Sequence, residues 1–392
     1  MQGTVTIFGQ IARHDEPIFW GRITIEDGLI IKVERGSVFV ADHMFDSGCL
    51  IFAGFGDVHI HAREDETEKQ NYKETYETAA AAALNGGVVH VCAMPNTPNP
   101  VTTAERLAWH RNHICEGNHP VVILNYVGVD ATTQPLGEKG ENPYKMYFGK
   151  SVGPLTVIFA SELDKILPRY RGEYMSFHVE YEPIVIMSSA GKTHSDRRPV
   201  ECVNEGLRLL LPLIEKYGIK AKLCHWSTGG ESLELIAEYR ARGCHIELEV
   251  SSLHLYFDTS MTDKDPSLWL QAQMNPPIQG PPHRFALIKG LKDGFIQYFA
   301  DDHAPHTEEE EKYSAFAEFR NQFPGKTNKE IAEIIRGNSR ELFEEICVRN
   351  NHSGAPWLDT HGLICCWLMH EHGFRPQDIA RVAAYNPGRS PF

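Results

Sequence analysis

No apolar run in this chain reaches the roughly 18 residues that span a bilayer, and the opening MQGTVTIFGQ has no basic segment followed by an apolar one. Neither a membrane span nor a secretory leader is expected, and a cytoplasmic protein is. Paired cysteines are missing too. The nine cysteines are odd in number, scattered, and never spaced C-x-x-C, so they read as small buried hydrophobes of a reducing compartment. Positive charge is scarce: 38 Lys and Arg stand against 52 Asp and Glu, a formal net charge of −14. That balance excludes the basic surface that nucleic acid requires. It also means that any anionic ligand must be drawn in by a local cluster of cations. The polar bias of a disordered chain is absent as well, with 42% hydrophobic and 23% charged residues over 392 positions. Such a chain can bury one large core, or a core with a small satellite.

What is present is an alternation of patterns. Residues 1–50 read as short strands, TVTIFGQI, FWGRITIEDG and LIIKVE, with Asp27-Gly28 as a tight hairpin turn. From residue 51 the texture becomes strand, helix, strand. IFAGFGDVHIH precedes the Ala-rich helix YKETYETAAAAALNGG, stopped by Gly86 and Gly87, and VVHVCAMP follows. Further β-type runs lie at 121–129, 144–149, 175–181, 220–227, 245–252 and 295–303, with helical stretches such as CVNEGLRLLLPLIEKYG and ESLELIAEYRARG between them. Eight strands in βα alternation favour a (β/α)8 TIM barrel over residues 51–392, with the strands of 1–50 forming a small β-sandwich-like satellite domain. Periodicity alone leaves a doubly wound open sheet as the alternative. The stretch 313–356 is longer than a connection, and TNKEIAEIIRGNSRELFEEICVRN gives it the texture of a helical insertion.

The polar, metal-capable residues fall at the ends of these β-runs, which in a parallel barrel is one rim. Asp57, His59 and His61 are spaced by two, so an extended backbone points all three to one side. Alone, this spacing more often marks ordinary hydrogen-bonded or exposed histidines than ligands. Three more potential ligands, His178, His225 and Asp302, sit at corresponding strand ends, and together they read as a metal centre. Nitrogen and oxygen ligands without cysteine suit Zn2+, with Mn2+ or Co2+ as substitutes. Lys145 in YKMYFGK falls, by the same reasoning, at the end of the fourth strand. An ammonium cannot ligate a cation, so Lys145 is either a lysine extending to solvent or a site residue altered by CO2 into a carboxylate.

Several segments resemble the dihydroorotases of the amidohydrolase superfamily: GFGDVHIHAR, AMPNT, YKMYF, SFHVEY, LCHWST and ADDHAPHTEEEK, in that order, over about residues 20 to 389. The resemblance implies a first zinc on His59, His61 and Asp302, a second on His178 and His225, and carboxylated Lys145 bridging them. It implies a metal-held hydroxide as nucleophile and Asp302 as general base, then acid. It further implies reversible cyclisation of N-carbamoyl-L-aspartate to L-dihydroorotate in pyrimidine biosynthesis. The family's ring-carboxylate contacts correspond here to Arg63, Asn96 and His306. Arg63 lies two positions beyond His61, so an extended chain aims its fork at the same pocket.

The pattern also departs from the family. Its E-V-x-P-H-H-L becomes EVSSLHL, and N-P-P-[LI]-R becomes NPPIQ, with Gln279 replacing the arginine. Glu249 is therefore carried as an extra metal contact, and His254 and Asn275 as substrate contacts, only on the strength of partial matches. Relatives usually continue beyond the point where this chain stops at YNPGRSPF, which leaves a reduced satellite domain or a truncated chain as expectations. A hydantoinase or dihydropyrimidinase, and a silent subunit scaffolding a carbamoyltransferase, are the alternatives; a homodimer is a further expectation.

Overall fold

Alternating β-branched and aromatic residues make the first fifty positions extended. In the computed structural model, which describes residues 3–150, 153–265, 267–349 and 352–391, they build one mixed sheet. Its strands are β1 (Thr4–Ile11), β2 (Phe19–Glu26), β3 (Leu29–Arg35), β4 (His43–Met44) and β5 (Leu50–Ile51). β1 pairs antiparallel with β2, and parallel with β4 and β5. Asp27 and Gly28 both take positive φ, 49° and 85°, as a two-residue hairpin turn matched to strand twist requires.

Nine further strands follow: β6 (Phe55–Ile60), β7 (Val88–Ala93), β8 (Val122–Asn125), β9 (Val127–Val129), β10 (Tyr144–Phe148), β11 (Tyr174–Val179), β12 (Lys220–Leu223), β13 (Ile246–Ser251) and β14 (Tyr298–Ala300). β6, β7 and β8 are parallel neighbours, as are β9 through β14 in sequence order. The run 121–129 expected as one strand is two. β8 pairs with β7 and β9 with β10, and the change of partner falls at Tyr126, whose amide donates to Ala93 O and whose hydroxyl donates to Val58 O, both at 3.0 Å. The run 295–303 supplies only three strand residues, because Ile296 N is taken by Gly290 O of the preceding helix and pairing begins at Gln297. Past β14, Ile60 bridges in parallel to His303, and His61 N donates to His303 O at 2.7 Å. The end of the series is thus hydrogen-bonded to its beginning.

Strands buried on both faces are apolar throughout rather than alternating. Val127, Met146, Phe177, Leu223, Leu248 and Phe299 share one core with Leu207, Leu210, Leu211 and Ile214 of the helix Val200–Tyr217, whose spacing makes a single helical stripe. That helix stops at Gly218, φ 61°, whose N–H bonds back to Ile214 O and Glu215 O. Residues 313–349 carry a short helical turn, Ser314–Phe319, and the helices Asn328–Asn338 and Arg340–Arg349, the first of these two opened by a Thr327–Glu330 capping box. Tyr313, Phe316, Ile331, Ile335, Phe343 and Ile346 pack with Leu270 into a second cluster, separate from the main core. Positions 350 and 351 of the expected insertion lie outside the described residues. Among the described residues no helix is long and apolar enough to cross a membrane.

Candidate active site

The chemistry-bearing side chains sit on or just past the strands. His59 is on β6, Lys145 on β10, His178 on β11 and Glu249 on β13; His225 follows β12 and Asp302 follows β14. Arg63, His225 and Asp302 have left-handed φ of 61°, 36° and 50°. This is uncommon for residues with a Cβ and is characteristic of functional sites held by surrounding structure. Lys145 is the second residue of β10, deeper in its strand than expected. Its charge nonetheless bears on His59, His61, His225 and Asp302.

His59 Nε2 and His61 Nε2 lie 3.1 and 3.2 Å from Asp302 Oδ1. Opposite them, His178 Nδ1 faces His225 Nε2 at 3.2 Å. The distal nitrogens fix the tautomers of the first pair. His59 Nδ1 donates to Glu249 Oε1 at 2.6 Å and His61 Nδ1 to Asn96 Oδ1 at 2.8 Å, which leaves both Nε2 atoms as lone pairs. Burial lowers His59 to about 4 and holds His61 and His225 well below the ordinary imidazole range, so the rings are neutral. Imidazole lone pairs converging on a carboxylate oxygen are a donor set that suits a cation. The observed separations suit one, since ligands about 2.0–2.1 Å from a tetrahedral zinc stand roughly 3.3 Å apart. His59, His61 and Asp302, all buried, have their ligand atoms within 4.8 Å of one another. Lys145 Nζ is buried without a hydrogen-bond partner, and a bare ammonium in that place would be strongly destabilised. The donor set and the orphaned amine both fit a metal centre that uses a modified lysine.

These groups open into a narrow pocket lined by His59, His61, Arg63, Asn96, Tyr147, His178, His225, Asn275 and Asp302, among others. Arg63 is 4% exposed and its Nε is unpartnered, and among the described residues no carboxylate pairs with its guanidinium. Asn275 lines the pocket, and its Oδ1 accepts from His194 Nε2 at 3.0 Å and Ser353 Oγ at 3.2 Å. Two expected substrate contacts do not line it. His306 Nε2 donates to Ser353 O at 3.0 Å, with Glu311 Oε2 3.2 Å from its Nδ1. His254 donates from Nε2 to Pro276 O at 3.0 Å and accepts the Ser251 hydroxyl at Nδ1. Burial, then Arg63, Lys312 and Lys73, push His306 down to about 3; of these cations Arg63 lines the pocket, while Lys73 is paired with Glu311 and burial pushes Lys312 down to about 7.

Glu249 is hydrogen-bonded through one oxygen and ion-paired through the other. Oε1 takes His59 Nδ1 and the His225 amide, and Oε2 lies 2.8 Å from Lys222 Nζ. Sequence reasoning missed Tyr147, whose buried hydroxyl has no partner and which keeps its proton because burial raises it well above the usual phenol range. The signal was its place two residues after Lys145, on the same side of an extended strand. It also missed Glu180, Arg198 and Lys222, which surround the histidines from behind.

No family model matches the chain. Over 317 residues it is 30% identical to a dihydroorotase of Halalkalibacterium halodurans, covering 77% of this chain and 71% of that one. It is 34% identical over 277 residues to a dihydroorotase of Bacillus subtilis (67% and 62%) and 33% identical over 305 residues to one of Geobacillus thermodenitrificans (73% and 68%). Among solved structures, an L-hydantoinase (dihydropyrimidinase) from Arthrobacter aurescens matches with a TM-score of 0.75 at 18% identity, covering 99% of this chain and 82% of that one. A dihydropyrimidinase from Brevibacillus agri gives 0.75 at 15% identity, with the same coverage. At these identities the structural likeness shows the fold alone.

Proposed function

Since this chain belongs to the dihydroorotase family, we propose that it catalyses the reversible cyclisation of N-carbamoyl-L-aspartate to L-dihydroorotate at the pocket beside Arg63. We read the parallel strands as one (β/α)8 barrel, supported by the bond from His61 to His303, and the sheet of β1 to β5 as its satellite, with the division near residue 50.

When bound, two zinc ions would bring a water's pKa towards neutrality and polarise the scissile carbonyl. His59, His61 and Asp302 would hold one, His178 and His225 the other. Lys145 would serve both once its neutral Nζ has added to the carbon of CO2, which forms the carbamate and releases one proton. Asp302 accepts the proton of the attacking water and delivers it to the ring nitrogen as the C–N bond breaks. Ring closure reverses these transfers.

The observation that carries the substrate assignment is the buried, unpaired Arg63 in the pocket wall. A planar fork without a counter-ion matches a carboxylate that dihydroorotate has and dihydrouracil lacks. Zinc-loaded protein should therefore turn over dihydroorotate with a kcat/KM roughly tenfold to hundredfold above that for dihydrouracil, the worth of one charge-assisted contact. The reverse preference would move the chain to the hydantoinase reading.

A further inference from the structure

Each candidate metal pair contains one histidine whose far nitrogen meets a fully buried glutamate, and each glutamate meets a cation. Behind His59, Glu249 Oε1 accepts from Nδ1 at 2.6 Å, and Glu249 Oε2 lies 2.8 Å from Lys222 Nζ. Lys222 Nζ also donates to Val58 O at 3.1 Å and to Tyr126 Oη at 2.7 Å. Behind His178, Nε2 lies 3.0 Å from Glu180 Oε2, a charge contact without hydrogen-bond alignment, and the same oxygen accepts from Arg198 Nη1 at 2.7 Å. Glu249, Glu180 and Lys222 are 0% exposed.

Burying two ion pairs in a barrel is no route to stability, because apolar residues of the same volume generally do as well or better. The pairs are explained by what the carboxylates touch. A metal-binding imidazole needs its other nitrogen anchored, and a carboxylate there fixes the ring's orientation and makes it a stronger donor. We propose that Glu249 and Glu180 are positioning residues of the metal centre, each holding the distal nitrogen of one histidine, His59 or His178, and each countered by its own cation, Lys222 or Arg198. Glu249 thus stands behind the first metal rather than upon it. The inference rests on the metal-centre reading above.

The test is metal affinity, measured by chelator competition on the full chain together with metal content per chain. Wild type should hold two metals. Glu249→Gln and Glu180→Gln should each weaken one of them roughly tenfold to hundredfold and leave the other near its wild-type affinity, and the double variant should weaken both. Glu249→Asp, which restores the charge, should recover part of the loss. Arg198→Gln perturbs Glu180 without entering the barrel interior, and should weaken the same metal as Glu180→Gln even if the buried variants do not fold. Melting of the metal-free proteins separates misfolding from lost positioning. Variants that keep both metals at wild-type affinity, or lose both equally, overturn the inference alone. Wild-type protein that binds no metal overturns the metal-centre reading and the inference with it.

Discussion

Arg63 joins two unfavourable features in one residue, a left-handed backbone and a desolvated guanidinium whose Nε has no acceptor. Asp302, Glu311 and Glu74 favour its charge from a distance, but Nε is left free to bind a ligand carboxylate. Replacing Arg63 with alanine removes the contact to the ring carboxylate and leaves every metal donor in place. The expected result is a loss of roughly tenfold to hundredfold in kcat/KM for dihydroorotate, with metal content unchanged and dihydrouracil turnover little affected. Steady-state kinetics on both substrates check this, and equal losses on the two would remove the assigned role. Tyr147 is a milder case, since its unpartnered hydroxyl is a neutral donor rather than a charge.

At the scale of strands and turns, the ends of β10 and β11 are where packing and chemistry meet. Gly149 follows β10 with φ 120°, and a Cβ there would stand 2.0 Å from Glu180 O. Phe148 O accepts from Glu180 N at 2.8 Å in the same place, so the backbone carrying Glu180 cannot retreat without giving up that bond. Gly149→Ala should cost about 1–3 kcal/mol for the disallowed backbone alone, read as a lower denaturation midpoint, and should weaken metal binding by displacing Glu180. An unchanged midpoint would show that this turn is freer than its contacts suggest. The strands themselves were legible because β-branched, aromatic and other apolar residues recur along short segments set between helical stretches. The break at Tyr126 was not, because it is made by hydrogen bonds to Val58 and Ala93, which are distant in sequence. Nor was the late start of β14, set by the capture of Ile296 N by Gly290 O. The ligand residues could be read because histidine at strand ends is chemically conspicuous. Glu180 and Lys222 could not, since charged residues near a strand end ordinarily face water, and their burial depends on Arg198, Val58 and Tyr126, which only the folded chain brings to them.

For the whole molecule, the donors of the candidate centre come from residues 59 to 302, from both ends of the series of parallel strands and its middle. A cation that binds only the folded arrangement stabilises it by mass action, by about 2.7 kcal/mol per site at a hundredfold excess over Kd. Two such sites give about 5 kcal/mol. For a chain of 392 residues, with an unfolding entropy near 2.1 cal/mol/K per residue, that corresponds to a Tm shift of about 6 °C. Chelation should therefore lower the Tm by about that amount, and zinc should restore it. If Lys145 acts as the proposed carbamate, restoration should be faster with bicarbonate present. The segment 313–349 packs its own cluster of Tyr313, Phe316, Ile331, Phe343 and Ile346 and supplies none of the proposed ligands. Amide exchange should accordingly accelerate on chelation around His59, His178 and His225 and much less in the helix Asn328–Asn338. Uniform acceleration would mean that the insertion and the strands open as one unit, and an unaltered Tm would mean that the donors at His59 and Asp302 hold their places without an ion.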